Sequence, residues 1–539
     1  MAQYQRIFSV RLFCVGLLLP WVSLLAQGYD IELNEGDTKD LSAAETVNQS
    51  ILLNGGTGTF SNGGTYLGLV LTMGTTDGTT IKQTCAARTA LVSTLTNPGD
   101  TAGKTLYLSI ADTTDYQQCL LLNTDKTGWS DWKGTFAFTS GWGGVYKPGS
   151  NQLANATVTL QDTCRGFVLW NTPNISIGML TSALSTAELE LHLASSTLTV
   201  GENNASGTFA GILKNNGANV LSITKAGTGT WTLSGANTYT GLTTISDGAI
   251  EITGSAAYNG GFTLNGGDLT IRNGAAVTTT GVTTLTNGTL SISEGGSFTT
   301  TATNNSVVVT KGNIEVGDHS TFTASGSGNI LALNGGNIIL GEGATFNANR
   351  IEVWNGSILM GAGSTLTASG GIPLYGDYDH GLSGTIVAPV TLGAGTLSPG
   401  GADVGKLEIT GNLEIRSTLV FDVESADSFD ILNHKGEGDQ NVSFATGGTI
   451  EILSDDLLIG PVFDLLTTET EFLVNGSVPA ADFDWDSLLV DPVTWNLTLT
   501  NLEGGGQMLS AQVDGAAVPE PCSGLLLLLG GLFLFWRKR

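Results

Sequence analysis

The chain has 539 residues and a formal net charge of −27, with only 21 lysines and arginines. This balance excludes nucleic-acid binding, because phosphate contacts need clustered cations. Apolar residues make up 41% of the chain, which excludes general disorder, and 75 glycines beside 12 prolines favour an all-β protein with many tight turns.

Residues 1–26 have the pattern of a secretion signal. Arg6 and Arg11 supply a positive start, an apolar stretch follows over residues 13–25, and Ala26 closes a cleavage site. We therefore expect the chain to be exported from the cytoplasm.

Three cysteines remain once the signal and the C-terminal tail are set aside: Cys85, Cys119 and Cys164. Export permits a disulfide bond, but three cysteines leave one unpaired, and the sequence does not choose the pair. No Cys/His spacing indicates a metal site, so we predict structural cysteines and no bound metal.

Residues 27–188 contain solenoid-like pieces, for example over 51–56 and 129–146, without a clean register. We predict that they form an irregular N-terminal part of a β-solenoid. A separate β-sandwich is the alternative. An open solenoid end would expose a strand edge, so both ends need covering.

Residues 224–250 read TKAGTGTWTLSGANTYTGLTTISDGAI. Residues 230–233 alternate as a strand, 237–241 favour a turn, and 243–245 begin the next strand. The segment resembles the autotransporter-associated β-strand repeat. That resemblance implies a right-handed parallel β-helix on a bacterial surface.

Six stretches then align without gaps, each anchored on one glycine. Apolar residues lie three positions before every anchor and two, four and ten positions after it. The anchors are Gly248, Gly267, Gly288, Gly312, Gly336 and Gly356, and the tenth residues after them are Tyr258, Val277, Phe298, Phe322, Phe346 and Leu366. Anchor spacing varies from 19 to 24 residues, so we predict stacked coils whose spare residues bulge out at a turn.

The pattern predicts a regular parallel β-helix over residues 189–384 and a C-terminal β module over 385–515 that covers the last coil. Part of this module, near residues 397–423, is similar to a module that often precedes the tail described next.

Residues 516–539 form that tail. Pro519, Glu520 and Pro521 precede an apolar run over 522–536, and Arg537, Lys538 and Arg539 end the chain. A helix of this run would span about 22 Å at 1.5 Å per residue, less than the ~30 Å bilayer core. We predict a short transmembrane helix that holds the chain for processing, with a permanent tail anchor as the alternative.

The order of these features resembles the PEP-CTERM sorting signal. The resemblance implies that an exosortase recognises Pro519, Glu520 and Pro521, cleaves near them, and passes the protein to the envelope or matrix. Arg537, Lys538 and Arg539 would then be the basic stop.

Other chemistry is weakly indicated. Residues 400–407 and 99–105 narrowly miss the phosphate-binding loop pattern, and we interpret both as turns. Asp482, Asp484 and Asp486 lack the glycine and glutamate of a calcium loop, so we expect a strand with one acidic side. Residues 377–380 are expected to be a surface loop, and the four histidines to be unremarkable surface residues.

A polysaccharide lyase or hydrolase is the alternative function, because such enzymes use parallel β-helices. They need converging carboxylates, whereas the outward positions three residues after the anchors carry only Glu251 and Glu315, three coils apart. We therefore predict no enzymatic activity and no catalytic or cofactor-binding residues.

The sequence predicts an exported structural or adhesin-like solenoid at the cell envelope or in the matrix. Its expected partners are an exosortase-type enzyme and the membrane before processing. Extracellular polysaccharide or other surface proteins are further candidates, and no nucleic-acid partner is expected.

Overall fold

A computed structural model describes residues 31–41, 50–60, 64–73, 77–83, 89–96, 102–110, 119–123, 131–146, 153–303, 305–326, 330–401, 404–436, 439–454, 461–490, 495–503 and 505–513. Their strands form a right-handed β-solenoid without α-helices. The predicted all-β parallel solenoid is therefore confirmed. No helix in these ranges is long and apolar enough to cross a membrane, and the predicted span 522–536 lies outside them.

From residue 196 onward, each coil contributes strands to up to three faces, joined coil to coil by parallel pairing. The first face consists of Ser196–Val200, Leu221–Lys225, Thr243–Ile245, Phe262–Asn265, Thr283–Asn287, Val307–Val309, Ile330–Leu333, Arg350–Val353, Ile372–Leu374, Val390–Leu392, Leu413–Ile415, Val442–Phe444 and Phe472–Val474. The second face consists of Gly207–Phe209, Thr230–Leu233, Ala249–Ile252, Asp268–Ile271, Thr289–Ile292, Asn313–Val316, Asn337–Leu340, Ser357–Met360, Asp379–Leu382, Thr396–Ser398, Thr418–Ser425 and Thr449–Leu453.

The third face begins at residue 256 and ends in antiparallel strands. It consists of Ala256–Ala257, Ala276–Thr279, Ser297–Thr300, Thr321–Ala324, Thr345–Ala348, Thr365–Ala368, Gly384–Val387, Lys406–Thr410, Ile431–Lys435 and Val462–Thr468, followed by Gln507–Val513 and Trp495–Asn501. The last two strands run antiparallel to their neighbours. A short 3₁₀ helix, Trp485–Leu488, and a strand pair between Thr418–Ser425 and Ser428–Phe429 complete this end.

The N-terminal strands join the same ladder. They are Ile31–Asn34, Thr38–Asp40, Ser50–Asn54, Thr57–Phe60, Gly64–Met73, Thr80–Gln83, Thr89–Thr96, Thr105–Ser109, Leu120–Asn123, Thr135–Tyr146, Leu153–Trp170, Asn174–Ser182, Glu188–His192 and Ile212–Leu213. Their ladder pairings are parallel, with register shifts near Ser140 and Trp142. This parallel ladder is not the antiparallel pattern of the alternative β-sandwich. The glycine-rich segment around residue 141 lies inside a 12-residue strand.

The predicted domain limits fall within continuous pairing. Glu188–His192 spans the limit at residue 188, and Gly384–Val387 pairs in parallel with the strand before it. The limits themselves stay predictions.

Strand pairing reproduces the predicted register in the six coils. Leu290 lies opposite Leu269 and Ile314, and the same column continues through Ile338 to Ile358. On the third face Phe298, Phe322 and Phe346 lie opposite one another and are fully buried. One assignment was wrong: Ala256, not Tyr258, lies opposite Val277. The first coil is the shortest, so Tyr258 fills the core from the turn after its strand, against Phe262.

The spare residues lie at the turn from the third face to the first. That turn contains one residue between Thr345–Ala348 and Arg350–Val353, but six between Ser297–Thr300 and Val307–Val309. The predicted bulge is thus confirmed at this corner. The first coil differs, because it is two residues shorter between the second and third faces, where Ile252 and Ala256 lie opposite Ile271 and Val277.

The anchor glycines crowd against the coil before. A Cβ on Gly336, whose φ is +84°, would lie 1.6 Å from the carbonyl oxygen of Gly312. A Cβ on Gly356 would similarly lie 1.8 Å from the Gly336 carbonyl oxygen. No other residue fits without moving the backbone, because only glycine combines this φ with the space of a hydrogen.

Candidate functional site

The predicted sorting residues Pro519, Glu520 and Pro521 lie outside the described residues. The basic stop at Arg537, Lys538 and Arg539 does so as well. All six stay predictions.

Lys225 is the most unusual residue of the repeat-like segment. Strand pairing places it in an inward column between Val200 and Ile245, where it is completely buried. Its Nζ donates hydrogen bonds to the carbonyl oxygens of Ala226 (2.6 Å), Gly227 (2.6 Å) and Asp247 (3.4 Å). Burial lowers the pKa of Lys225 to about 8, against the opposing charge of Asp247. The ammonium therefore satisfies turn carbonyls inside the coil, which is a structural task.

The predicted turn over 237–241 is also built into the core. The Nδ2 of Asn237 donates to the Tyr258 hydroxyl (3.1 Å), and the Asn237 Oδ1 accepts from the Leu213 N–H (2.9 Å). Asn237, Tyr239 and Tyr258 are all buried. The polar residues of the segment thus connect neighbouring coils instead of forming an exposed site.

The outward carboxylates do not form a pair. Glu251 and Glu315 are three pairing steps apart, or about 14 Å at strand spacing. The Nη2 of Arg272 lies 2.7 Å from Glu251, and Arg272 also contacts Glu294 at 3.6 Å. Glu251 is therefore bound by a cation rather than left free for proton transfer.

Sequence reasoning missed a second carboxylate group. Glu188 and Glu190 each lie 2.8 Å from the Nζ of Lys214 on the next coil. Burial lowers the pKa of Lys214, but the two carboxylates outweigh it and raise the pKa above its ordinary value. Acids two residues apart on a strand share one side, which was the available signal.

The loop near residues 400–407 is not a phosphate cradle. The Gly405 N–H donates to Asp430 Oδ1 (2.8 Å), and the other oxygen of this buried carboxylate accepts from the Asp422 N–H (2.9 Å). Burial raises the pKa of Asp430 to about 7, although these N–H donors oppose the shift. The Asp430 carboxylate therefore already accepts the hydrogen bond from the Gly405 N–H that a phosphate would need.

Asp482, Asp484 and Asp486 do not lie on a strand, so that expectation was wrong. They occupy a turn and the 3₁₀ helix Trp485–Leu488, and Asp486 accepts from the Leu497 N–H (2.5 Å). The rings of Phe483 and Trp485 pack on the core, with their centroids 5.1 Å apart. Within the described ranges, no three His, Cys, Asp or Glu side chains are grouped to hold a metal ion.

Two histidines expected at the surface are buried. His380 lies in the second face between Ile358 and Leu397, and its Nδ1 accepts from the Ile358 N–H (3.1 Å). Burial lowers the pKa of His380 to about 4, against the charge of Asp379. The Nε2 of His434 donates to the Gly411 carbonyl (2.6 Å), and burial lowers the pKa of this residue also.

The cysteine candidates are placed in part. Cys119 and Cys164 are buried, and Cys85 lies outside the described residues. The Cys164 thiol contacts the carbonyl oxygens of Gly141 (3.5 Å) and Gly166 (3.7 Å). Burial raises the pKa of Cys164 to about 12, so this thiol is unreactive at neutral pH.

Comparison with known proteins identifies the repeat. Residues 223–252 match the family model of the passenger-associated-transport-repeat. This is the segment that holds Lys225 and Asn237, so this part of the solenoid is similar to an autotransporter-type passenger repeat.

No curated protein matches the chain significantly. Among solved structures, the Haemophilus influenzae Hap adhesin matches with 12% sequence identity and a TM-score of 0.23. The match covers 87% of this chain and 64% of the adhesin, so the chain spans less than two thirds of that protein's length. At this TM-score the likeness carries no conclusion about shared function.

Proposed function

We propose that the protein is an exported surface solenoid with a structural or adhesin-like role at the cell envelope or in the extracellular matrix. The observation that carries this proposal is the continuous parallel ladder with an embedded passenger-associated repeat. Such a ladder makes a long, rigid rod whose outward positions are free for contact.

Sorting through the C-terminal tail is the second part of the proposal. An exosortase-type enzyme would recognise Pro519, Glu520 and Pro521 and remove the apolar run, with Arg537 to Arg539 as the stop. The support is the order of these features in the sequence. The short apolar run also supports the sorting proposal, because a helix shorter than the thickness of the bilayer core carries a mismatch cost.

Mass spectrometry of the C-terminal peptide from native cells tests the sorting step. We expect the mature protein to end near Glu520. Protein that mostly ends at Arg539 and stays in the membrane fraction, in cells that possess the processing enzyme, would contradict sorting and leave an anchored rod.

We further propose that the solenoid acts without catalysis. The support is that Glu251, Glu188 and Glu190 are held by cations. Incubation with pectin or alginate should release no unsaturated uronates. Release that disappears when one or two carboxylates are replaced would instead establish a polysaccharide lyase.

A further inference from the structure

Three exposed aromatic side chains gather at the turn between the first and second faces. Trp354 is 47% exposed, and Tyr375 and Tyr378 are each 42% exposed. Trp354 follows Arg350–Val353 and Tyr375 follows Ile372–Leu374, so the two occupy equivalent positions in successive coils. Their ring centroids are 4.5 Å apart and their planes are tilted by 32°.

Tyr378 completes this aromatic patch. The Tyr378 ring packs against Gly376. A Cβ added to Gly376 would lie 2.8 Å from Tyr378 Cδ2 and 2.5 Å from the Trp354 carbonyl oxygen. The absence of a side chain at Gly376 therefore lets the patch form. Exposing three large rings together is unfavourable in water, and such patches commonly mark contact sites.

A polar groove begins at Tyr375 and continues along the first face, where Arg350, Thr391, Glu414 and Arg416 line it. Arg350 Nε lies 2.9 Å from Glu352, and Arg416 Nη2 lies 2.8 Å from Glu414. Each guanidinium is thus oriented by a carboxylate, and the four charges sum to zero.

We propose that the aromatic patch and this groove bind a neutral polysaccharide. A pyranose ring has a C–H-rich face that stacks on aromatic rings, and a rim of hydroxyls that both donate and accept hydrogen bonds. The aromatic patch can stack on the C–H-rich face, and the paired arginines and glutamates can exchange hydrogen bonds with the hydroxyls. The inference rests on the proposed surface function, since it places the site where such glycans occur.

The chemistry favours this ligand over two others. An acidic glycan would be repelled by a chain of net charge −27, and the groove arginines are already paired with glutamates. A protein partner needs about 800 Å² of contact on each side, more than three rings among charged neighbours supply.

Affinity electrophoresis of the full chain tests the proposal. The gels contain hydroxyethyl cellulose, barley β-glucan, galactomannan or dextran, with alginate as the acidic comparison. We expect at least one neutral polymer to retard the protein and alginate not to. Trp354→Ala and Tyr375→Ala should each weaken that retardation by about tenfold, whereas Trp354→Phe should retain most of it.

Val478→Ala is the matched control, because Val478 is 55% exposed outside the patch. It should bind like the wild type, and thermal melts should show that all variants fold. Retardation by no neutral polymer, or equal retardation of folded Trp354→Ala, would overturn the proposal. Self-association that Trp354→Ala abolishes would also overturn it and identify a contact between copies. None of these results bears on C-terminal processing, so a failure here is distinct from a failure of sorting.

Discussion

Phe322 and Phe346, one coil apart, stack with their ring centroids 4.3 Å apart and their planes 14° from parallel. Phe298 continues the stack at 5.6 Å from Phe322. Both neighbours of Phe322 are therefore aromatic. In these three coils the third face contributes a continuous stack of three rings to the core.

Phe322→Asp should disrupt the coils on both sides. A carboxylate in this column would be buried without a cation, which costs several kcal/mol. Thr323→Asp is the control, because Thr323 is half-buried and points to the other side of the strand. Thermal melts should show a much lower melting temperature, and protease digestion a much faster cleavage, for Phe322→Asp alone. Equal melting of Phe322→Asp and wild type would contradict the stacking register.

Two glycine substitutions separate backbone strain from crowding. Gly336→Ala and Gly274→Ala both place alanine at positive φ, +84° and +69° respectively. Only Gly336 would press its Cβ against the preceding coil, since Gly274 has nothing within 4 Å. We expect Gly274→Ala to lower the free energy of unfolding by about 1 kcal/mol, and Gly336→Ala to lower it several-fold more. Similar losses in denaturant titrations would mean that the coils can separate locally.

Lys225→Met should be destabilising although it keeps an apolar stem in the column. The carbonyl oxygens of Ala226 and Gly227 would lose their ammonium donor, at a cost of about 1–3 kcal/mol. Lys311→Met is the control, because Lys311 is exposed. Denaturant titration of both variants should show a lower free energy of unfolding for Lys225→Met only. A more stable Lys225→Met protein would show that burying the charge outweighs its hydrogen bonds.

His380 should make the solenoid less stable in mild acid. Its folded pKa of about 4 lies below the ordinary value of 6.5, so the unfolded chain binds the proton more tightly. The stabilisation is complete above pH 6.5 and is lost as the pH falls toward 4, by about 3 kcal/mol in all.

His380→Asn retains an oxygen that can accept from the Ile358 N–H and removes the titrating ring. The melting temperature of this variant should therefore fall less between pH 7 and pH 4 than that of the wild type. His319→Asn, at an exposed histidine, should follow the wild type. A parallel fall for all three proteins would show that His380 does not titrate in this range.

The register was predictable because column residues such as Ile314 and Ile338 recur at fixed offsets from a glycine, and stacking requires that recurrence. The inward direction of Lys225 and His380 was not predictable. Both are polar residues at positions whose burial is set by strand pairing with coils before and after. The same limit applies to Lys214, which meets Glu188 and Glu190 across one coil, because contacts between coils carry no local pattern.

The corner between the third and first faces holds from one to six residues in different coils while the columns on either side keep their register. A loop whose length varies from coil to coil without disturbing the stack is a suitable place for an inserted sequence. A peptide epitope grafted after Ala348, where only Asn349 separates the strands, would project sideways from the rod. Grafts at several such corners would display copies along the rod at intervals set by the coil spacing, which would turn the solenoid into a molecular ruler.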